Sequence, residues 1–338
     1  MRVIGPLFAP LSEIPEAIRN AEATGFDGIY SAEINNDPFF PLLLAPEHSS
    51  KVELMTSIAV AFARNPMTLA NLSHDLNQYS KGRFVLGIGS QIKPHITRRM
   101  SMPWSKPAAR MREFIEAMQA IWACWLNDEP PNFDGEFYQH TLMTPNFVPN
   151  TKDYPAPKVK LAGVGPLMTQ VAGEVADGFI AHGFTTAKYL REVSLPALEK
   201  GLAKRGRQRN DIDITCPVMT VCGDNEEQFI QNRETVRMQI AFYASTPAYR
   251  DVLGMHGWED AQTELTIMSK RGEWQEMAKL ITDEMLGTFA VVSESPDTLA
   301  SQLLARYGDL IDNWECTWIT SDQQAMRSVI EEIQAHSH

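Results

Sequence analysis

The chain has 338 residues, 44% of them hydrophobic and 21% charged, which suits a soluble globule with a large core and excludes an extended disordered chain. Lys and Arg total 30 against 42 Asp and Glu, so the formal charge of −12 repels nucleic acid and anionic membrane, and no basic patch is large enough to bring nucleic acid in as a partner. No apolar run approaches the roughly 20 residues of a membrane helix, and acidic residues come too early in MRVIGPLFAPLSEIPEAI for a signal peptide, so a cytoplasmic protein is expected.

Short β-branched runs alternate with amphipathic stretches from one end to the other, the sign of parallel βαβ units. Residues 3–7 read as the first strand, followed by a helix over 12–24 with Ser12 as its N-cap candidate and Gly25 as its stop. Strands are expected at 28–31, 52–62 and 83–89, with a helix over 67–79 before the last of these and one over 108–124 after it. Segment 132–154, rich in Pro, Asn and aromatic residues, reads as a long loop or small hairpin that could overhang a barrel mouth. Further strands follow at 158–162, 178–181 and 213–221, with helices over 166–174 and 186–205. Segment 225–283 is too helical for a simple connection and reads as an insertion, after which a strand at 316–320 and a helix over 323–335 complete the pattern.

Eight such units suggest a (β/α)8 TIM barrel, and α/β barrels commonly reach about 250 residues or more in one piece, so 1–338 is expected to form a single domain. A doubly wound open sheet would show the same alternation. It also predicts a phosphate fingerprint after the first strand, which Gly5-Pro6-Leu7-Phe8-Ala9-Pro10 lacks.

In a barrel the chemistry sits where strands end and loops begin, on the carboxyl-terminal face. Glu33 leaves the second strand directly into that mouth, so its carboxylate either carries a proton or pairs with a neighbouring loop. Asp37, before Pro38, reads as a turn former. The small residues Gly163, Val164 and Gly165 precede a helix, where backbone N–H groups can approach an anion, or they form a plain tight turn. No Asp or Glu occurs between Leu76 and Arg112, while Lys81, Arg83, Lys93, Arg98, Arg99, Lys106, Arg110 and Arg112 fall in or at the edge of that stretch. They make either an electropositive rim for an anionic ligand or solvated helix faces. Phe39, Phe40, Trp104 and Phe137 are candidates for an apolar substrate pocket. The four cysteines form no CxxC pair, and His48, His74, His95 and His182 have no H-x-H or HExxH spacing, so reduced thiols and no metal site are expected.

Several ordered motifs carry a resemblance: GFDGIYSAE at 25–33, DPFFPLLLAPEHS at 37–49, TSIAVAFARNPMTLA at 56–70, DLNQYSKGRFVLGIGSQIKPH at 75–95, MREFIEAMQAIW at 111–122, AGVGPLMTQVAGEVADGFIAH at 162–182 and YGDLID at 307–312. Together they resemble the luciferase-like monooxygenase superfamily, and especially its branch of deazaflavin (coenzyme F420)-dependent oxidoreductases. The resemblance implies a cis non-proline peptide at the end of the third strand, at Ser57-Ile58, with its bulge against the cofactor ring. It implies that the loop after the fourth strand touches the ring edge, making Ser90, Gln91 and His95 cofactor-binding candidates, and that the cofactor phosphate lies near Gly163, Val164 and Gly165. His95 is either a proton donor, as a side-chain type able to exchange protons near neutral pH, or a plain loop histidine. The activity implied is hydride transfer between F420 and a small-molecule substrate. The alternatives are an FMN-dependent monooxygenase served by a separate flavin reductase, and a non-catalytic flavin-binding protein. The resemblance makes a homodimer the expected assembly.

Overall fold

The computed structural model describes residues 1–317 and 319–336. Its strands β1 (Arg2–Pro6), β2 (Gly28–Ser31), β3 (Glu53–Thr56), β4 (Phe84–Gly89), β5 (Lys158–Gly163), β6 (Gly178–Ala181), β7 (Asp213–Cys216) and β8 (Asn313–Glu315) pair in parallel in chain order. Contacts β1–β8 and β3–β4 close the sheet on itself, giving the (β/α)8 barrel; Val3 stands opposite Trp314 and Met55 opposite Val85.

Helices α1 (Ile14–Thr24), α2 (Pro66–Tyr79), α3 (Pro107–Asn127), α4 (Pro166–Val175) and α5 (Leu195–Lys204) cover the outside. Helix α1 buries Ile14, Ile18 and Ala21, one stripe at helical spacing, and stops at Gly25, whose φ of 100° lies in the left-handed region that glycine reaches without strain. Helix α2 starts on Asn65, whose side chain accepts from the Met67 N–H, with Pro66 at its first position. Strand β4 is buried at all six positions, as a stave with helices on one face and barrel interior on the other must be. A Cβ added to Gly87 would come 1.9 Å from the Thr56 carbonyl oxygen, so only glycine fits between β3 and β4. Ile4, Tyr30, Met55 and Val85 form a small apolar cluster of their own inside the barrel.

Several boundaries differ from the sequence-based expectation. The third strand is not continuous over 52–62: it stops at Thr56, resumes as Ala59–Val60 and turns at Ala61–Ala63. The seventh ends at Cys216, and Met219–Val221 leaves the barrel to pair with Ala290–Val292. The eighth is Asn313–Glu315 rather than 316–320, a segment in which Trp318 lies outside the described residues. In each case the composition of the run suits a strand, and which part enters the barrel is settled by pairing with a distant stave.

Segment 132–154 packs against α3 and α2. Its hairpin, Phe133–Asp134 against Gln139–His140, is tied to α3 by the Glu113 carboxylate, which accepts from the Glu136, Phe137 and Tyr138 N–H groups. It then runs down the outer wall, where His74, Asn77 and Gln78 of α2 hold the carbonyls of Thr151, Pro155 and Tyr154. Between β7 and β8 the expected helical insertion is present: α6 (Glu226–Ala244), α7 (Glu259–Arg271) and α8 (Asp283–Phe289) bury Ile240, Leu265 and Phe289 in a core of their own. Helices α9 (Pro296–Tyr307) and α10 (Gln323–Ala335) complete the outer layer. Among the described residues no helix is long and apolar enough to cross a membrane.

Candidate active site

The carboxyl-terminal ends of the staves gather the residues of interest on one face. The Ser57–Ile58 peptide is cis and sits where β3 breaks. The Ser57 N–H donates to the Ser31 carbonyl at 2.8 Å, and the Glu33 N–H to the Ile58 carbonyl at 3.2 Å, so the ends of β2 and β3 are locked together. The Glu33 carboxylate turns to the neighbouring loop: Oε2 accepts from the Val60 N–H at 2.8 Å and from the Arg64 guanidinium at 2.5 Å. Arg64 also reaches Asp37 at 3.3 Å and lies over the Phe39 ring.

The loop after β4 is turned partly on itself. Gln91 has a φ of 58°, and its Oε1 accepts from the Ile92 N–H at 2.9 Å. The Ser90 hydroxyl donates to the Gln91 carbonyl at 3.0 Å. His95 opens the helical turn His95–Arg99 with its ring exposed. Arg99 donates to the Ile34 carbonyl at 2.8 Å, joining this loop to the one after β2 across the rim.

At β5 the chain passes Gly163, Val164 and Gly165 into α4. Pro166 has no N–H, Gly165 provides no side-chain cap for the next N–H groups, those of Leu167 and Met168, and a Cβ on Gly165 would meet nothing within 4 Å. A small crevice lies between Gly163, Val164, His182, Phe184, Tyr189 and Ser194. His182, directly after β6, is packed between the rings of Tyr243 and Tyr249. Its Nδ1 accepts from the Phe184 N–H at 2.9 Å, which assigns the neutral ring's proton to Nε2, 3.0 Å from the Tyr249 hydroxyl oxygen. A sliver of its surface stays open, yet loss of hydration pushes its pKa down to about 4, so it is neutral near pH 7.

Apolar side chains ring the opening: Phe8 (59% exposed), Ile34 (64%), Ile92 (37%) and Leu167 (71%), each a few residues past the end of β1, β2, β4 and β5. Of the aromatic residues expected to line it, Phe39 is 5% exposed and packs against Phe84, Phe137 stands with its hairpin beside α3, and Trp104 rests edge-on against Phe62 at 5.8 Å; only Phe40 is largely exposed, at 58%.

The cationic stretch also divides. Lys81 and Arg83 precede β4 and so lie at the opposite end of the barrel. Lys106 pairs with Glu136, Arg112 with Glu174, and Arg110 is buried over Phe62. Lys93 and Arg98 remain exposed on the mouth loop, with no ion pair among the described residues, and Arg99 is partly engaged.

Two groups escape a reading by spacing alone. Glu315, the last residue of β8, points into the barrel and accepts from the Ser57 hydroxyl at 2.7 Å. Lys160 of β5 is buried, 2.8 Å from Asp213 and 3.1 Å from the Thr215 hydroxyl. Lys160 shares its strand with a second lysine, Lys158, and placing the last strand at 316–320 leaves Glu315 outside it.

Over residues 4–313 the sequence matches the profile of the luciferase-like monooxygenase family. The chain belongs to that family. An uncharacterised protein of Mycobacterium tuberculosis is 47% identical over 333 residues, 98% of each chain. The 5,10-methylenetetrahydromethanopterin reductase of Archaeoglobus fulgidus is 27% identical over 300 residues, 86% of this chain and 85% of that one. Among solved structures, the coenzyme F420-dependent tetrahydromethanopterin reductase of Methanopyrus kandleri superposes with a TM-score of 0.77 at 21% identity, covering 99% of this chain and 98% of that one, which shows the shared barrel. Luciferase-like proteins are mainly oxidoreductases and monooxygenases, and the relatives of this chain include F420-dependent reductases.

Proposed function

We propose that this luciferase-like protein transfers a hydride between coenzyme F420 and a small, largely apolar organic substrate. The cofactor, when bound, supplies the hydride chemistry, and the protein binds, orients and shields. The observation that carries this reading is the pairing, on one barrel face, of an uncapped helix start at Gly165 with an opening rimmed by Phe8, Ile34 and Ile92. Free N–H groups at a helix start suit a phosphate, and an apolar rim suits a ring and an uncharged substrate. Open space at the Gly165 Cβ position supports this placement, in which the Leu167 and Met168 N–H groups would hold the phosphate with Gly163 and Val164 alongside.

Ser57 and Ile58, Ser90 and Gln91 would meet the ring. The pairing of Glu33 with Arg64 makes it a brace that holds the β2 loop against the break in β3. Two histidines stand near the opening, and their surroundings separate their roles. His182 is held neutral by burial, and its one ring proton is engaged at Nε2 beside the Tyr249 hydroxyl, so it is not an imidazolium acid at neutral pH. Handling of the substrate proton therefore falls to the exposed His95.

Anaerobic incubation with reduced F420 and a panel of small apolar ketones and enones, followed by F420 absorbance, tests the reading. Reoxidation by at least one substrate class is expected, with His95→Gln slowing it about a hundredfold. Turnover seen only with reduced FMN and oxygen would replace this reading with the monooxygenase one.

A further inference from the structure

Ser57 and Glu315 belong to staves that are not neighbours, because β2 and β1 stand between β3 and β8. Their 2.7 Å hydrogen bond therefore crosses the barrel interior. At one end Ser57 keeps part of its surface open toward the mouth; at the other the carboxyl belongs to a residue only 5% exposed. The charged and titratable groups facing that carboxyl are Tyr30 from β2, Lys160 from β5, Cys216 from β7 and Cys316 just past β8. Burial holds the phenol and both thiols protonated, and Lys160 is committed to Asp213 and Thr215. The Ser57 hydroxyl is thus the group through which Glu315 communicates with the mouth.

We propose that Glu315 is a positioning residue that sets, through the Ser57 hydroxyl, the polar face that the tip of β3 offers to a ring bound in the mouth. The inference rests on the proposed cofactor site. When Glu315 is ionised, Ser57 spends its hydrogen on the carboxylate and offers the mouth lone pairs alone. When Glu315 takes up one proton from water, its O–H donates to Ser57 Oγ and the serine hydrogen is free to turn outward. Only hydrogen-bond direction changes, and the single proton balances the step. Burial pushes Glu315 up to about 7, against the smaller opposing effects of Ser57 and Lys160, so both forms are populated near neutrality. A ring edge rich in carbonyl oxygens binds better to the protonated form.

Cofactor titrations of the wild type, Glu315→Gln, Ser57→Ala and Ser57→Thr, each read by absorbance and fluorescence across neutral pH, test this without any turnover. Affinity for F420 in the wild type, taken relative to Glu315→Gln so that titration of the cofactor itself cancels, should fall about threefold or more from about pH 5.5 to about pH 8.5. Ser57→Ala should lose that slope although its carboxyl still titrates, and Ser57→Thr, which keeps a hydroxyl, should retain it. Bound cofactor with the same slope in wild type and Glu315→Gln, or in Ser57→Ala, would overturn the proposal and leave the cofactor site standing. A wild type that binds neither F420 nor FMN would overturn the cofactor site, and this inference with it.

Discussion

Glu33 and Glu315 are both carboxylates at the ends of staves, and their surroundings give them opposite chemistry. Glu33 is ion-paired to Arg64 and bonded to the Val60 N–H, with its side chain 13% exposed. Replacing it by Ala leaves Arg64 with the more exposed Asp37 and strips Val60 of its acceptor, so Glu33→Ala should cost about 2 kcal/mol in urea unfolding. Glu315 has no such cation and keeps its proton to about pH 7, above the 4.5 of a free glutamate. Because the fold binds this proton more tightly than the unfolded chain does, the stability it contributes is present below pH 4.5 and is lost as pH rises through about 7. Glu315→Gln should therefore gain on the wild type by an amount on the order of 3 kcal/mol across that window, seen as converging or crossing urea midpoints. Equal pH slopes in the two proteins would show that Glu315 does not titrate there. Glu33 was legible in the sequence because it follows a clear strand directly. Glu315 was not, because its importance lies in a contact with Ser57, and nothing local marks a partner so distant along the chain.

Elements bounded by local signals came out where the sequence put them. Strands β2 and β6 are short apolar runs that begin at Gly28 and Gly178, and α2 opens on the Asn65-Pro66 cap. Elements decided by partners did not: Met219–Val221 has strand composition but pairs outside the barrel, and the 132–154 segment follows the outer helices because Glu113, His74 and Gln78 hold it there. The Gly163 to Gly165 turn can be tested at this scale. Gly165 has a φ of −83°, which any residue adopts, and open space at its Cβ, so Gly165→Asp should cap α4 and hold or raise thermal stability. The same carboxylate would occupy the anion's place, and F420 affinity should drop at least about tenfold. Raised stability with unchanged affinity would show a plain turn. Gly87→Ala is the contrasting case: with the Thr56 carbonyl 1.9 Å from the added carbon, it should fold poorly or not at all, as soluble yield and circular dichroism would show.

For the whole molecule, the proposed binding of an anionic cofactor has to overcome a net charge of −12. The fold ties down Arg83, Lys106, Arg110 and Arg112 as struts and leaves Lys93 and Arg98 free at the mouth, with Arg99 beside them. Reversing both free charges, Lys93→Glu with Arg98→Glu, should weaken F420 binding at low salt and matter less at 0.15 M, where screening acts over about 8 Å. An affinity indifferent to the reversal would remove these residues from the site. Strand alternation together with the absent phosphate fingerprint after the first strand gives the barrel and the end at which to look, whereas the division of the cations between strut and rim depends on which helix faces which loop. Anaerobic titration of the apoprotein with F420 and with FMN, read by absorbance, decides whether the opening between Ser57, His95 and Gly165 holds F420. F420 should bind at least about tenfold tighter than FMN; FMN binding tighter by that margin, or neither binding, would rule out an F420 site there.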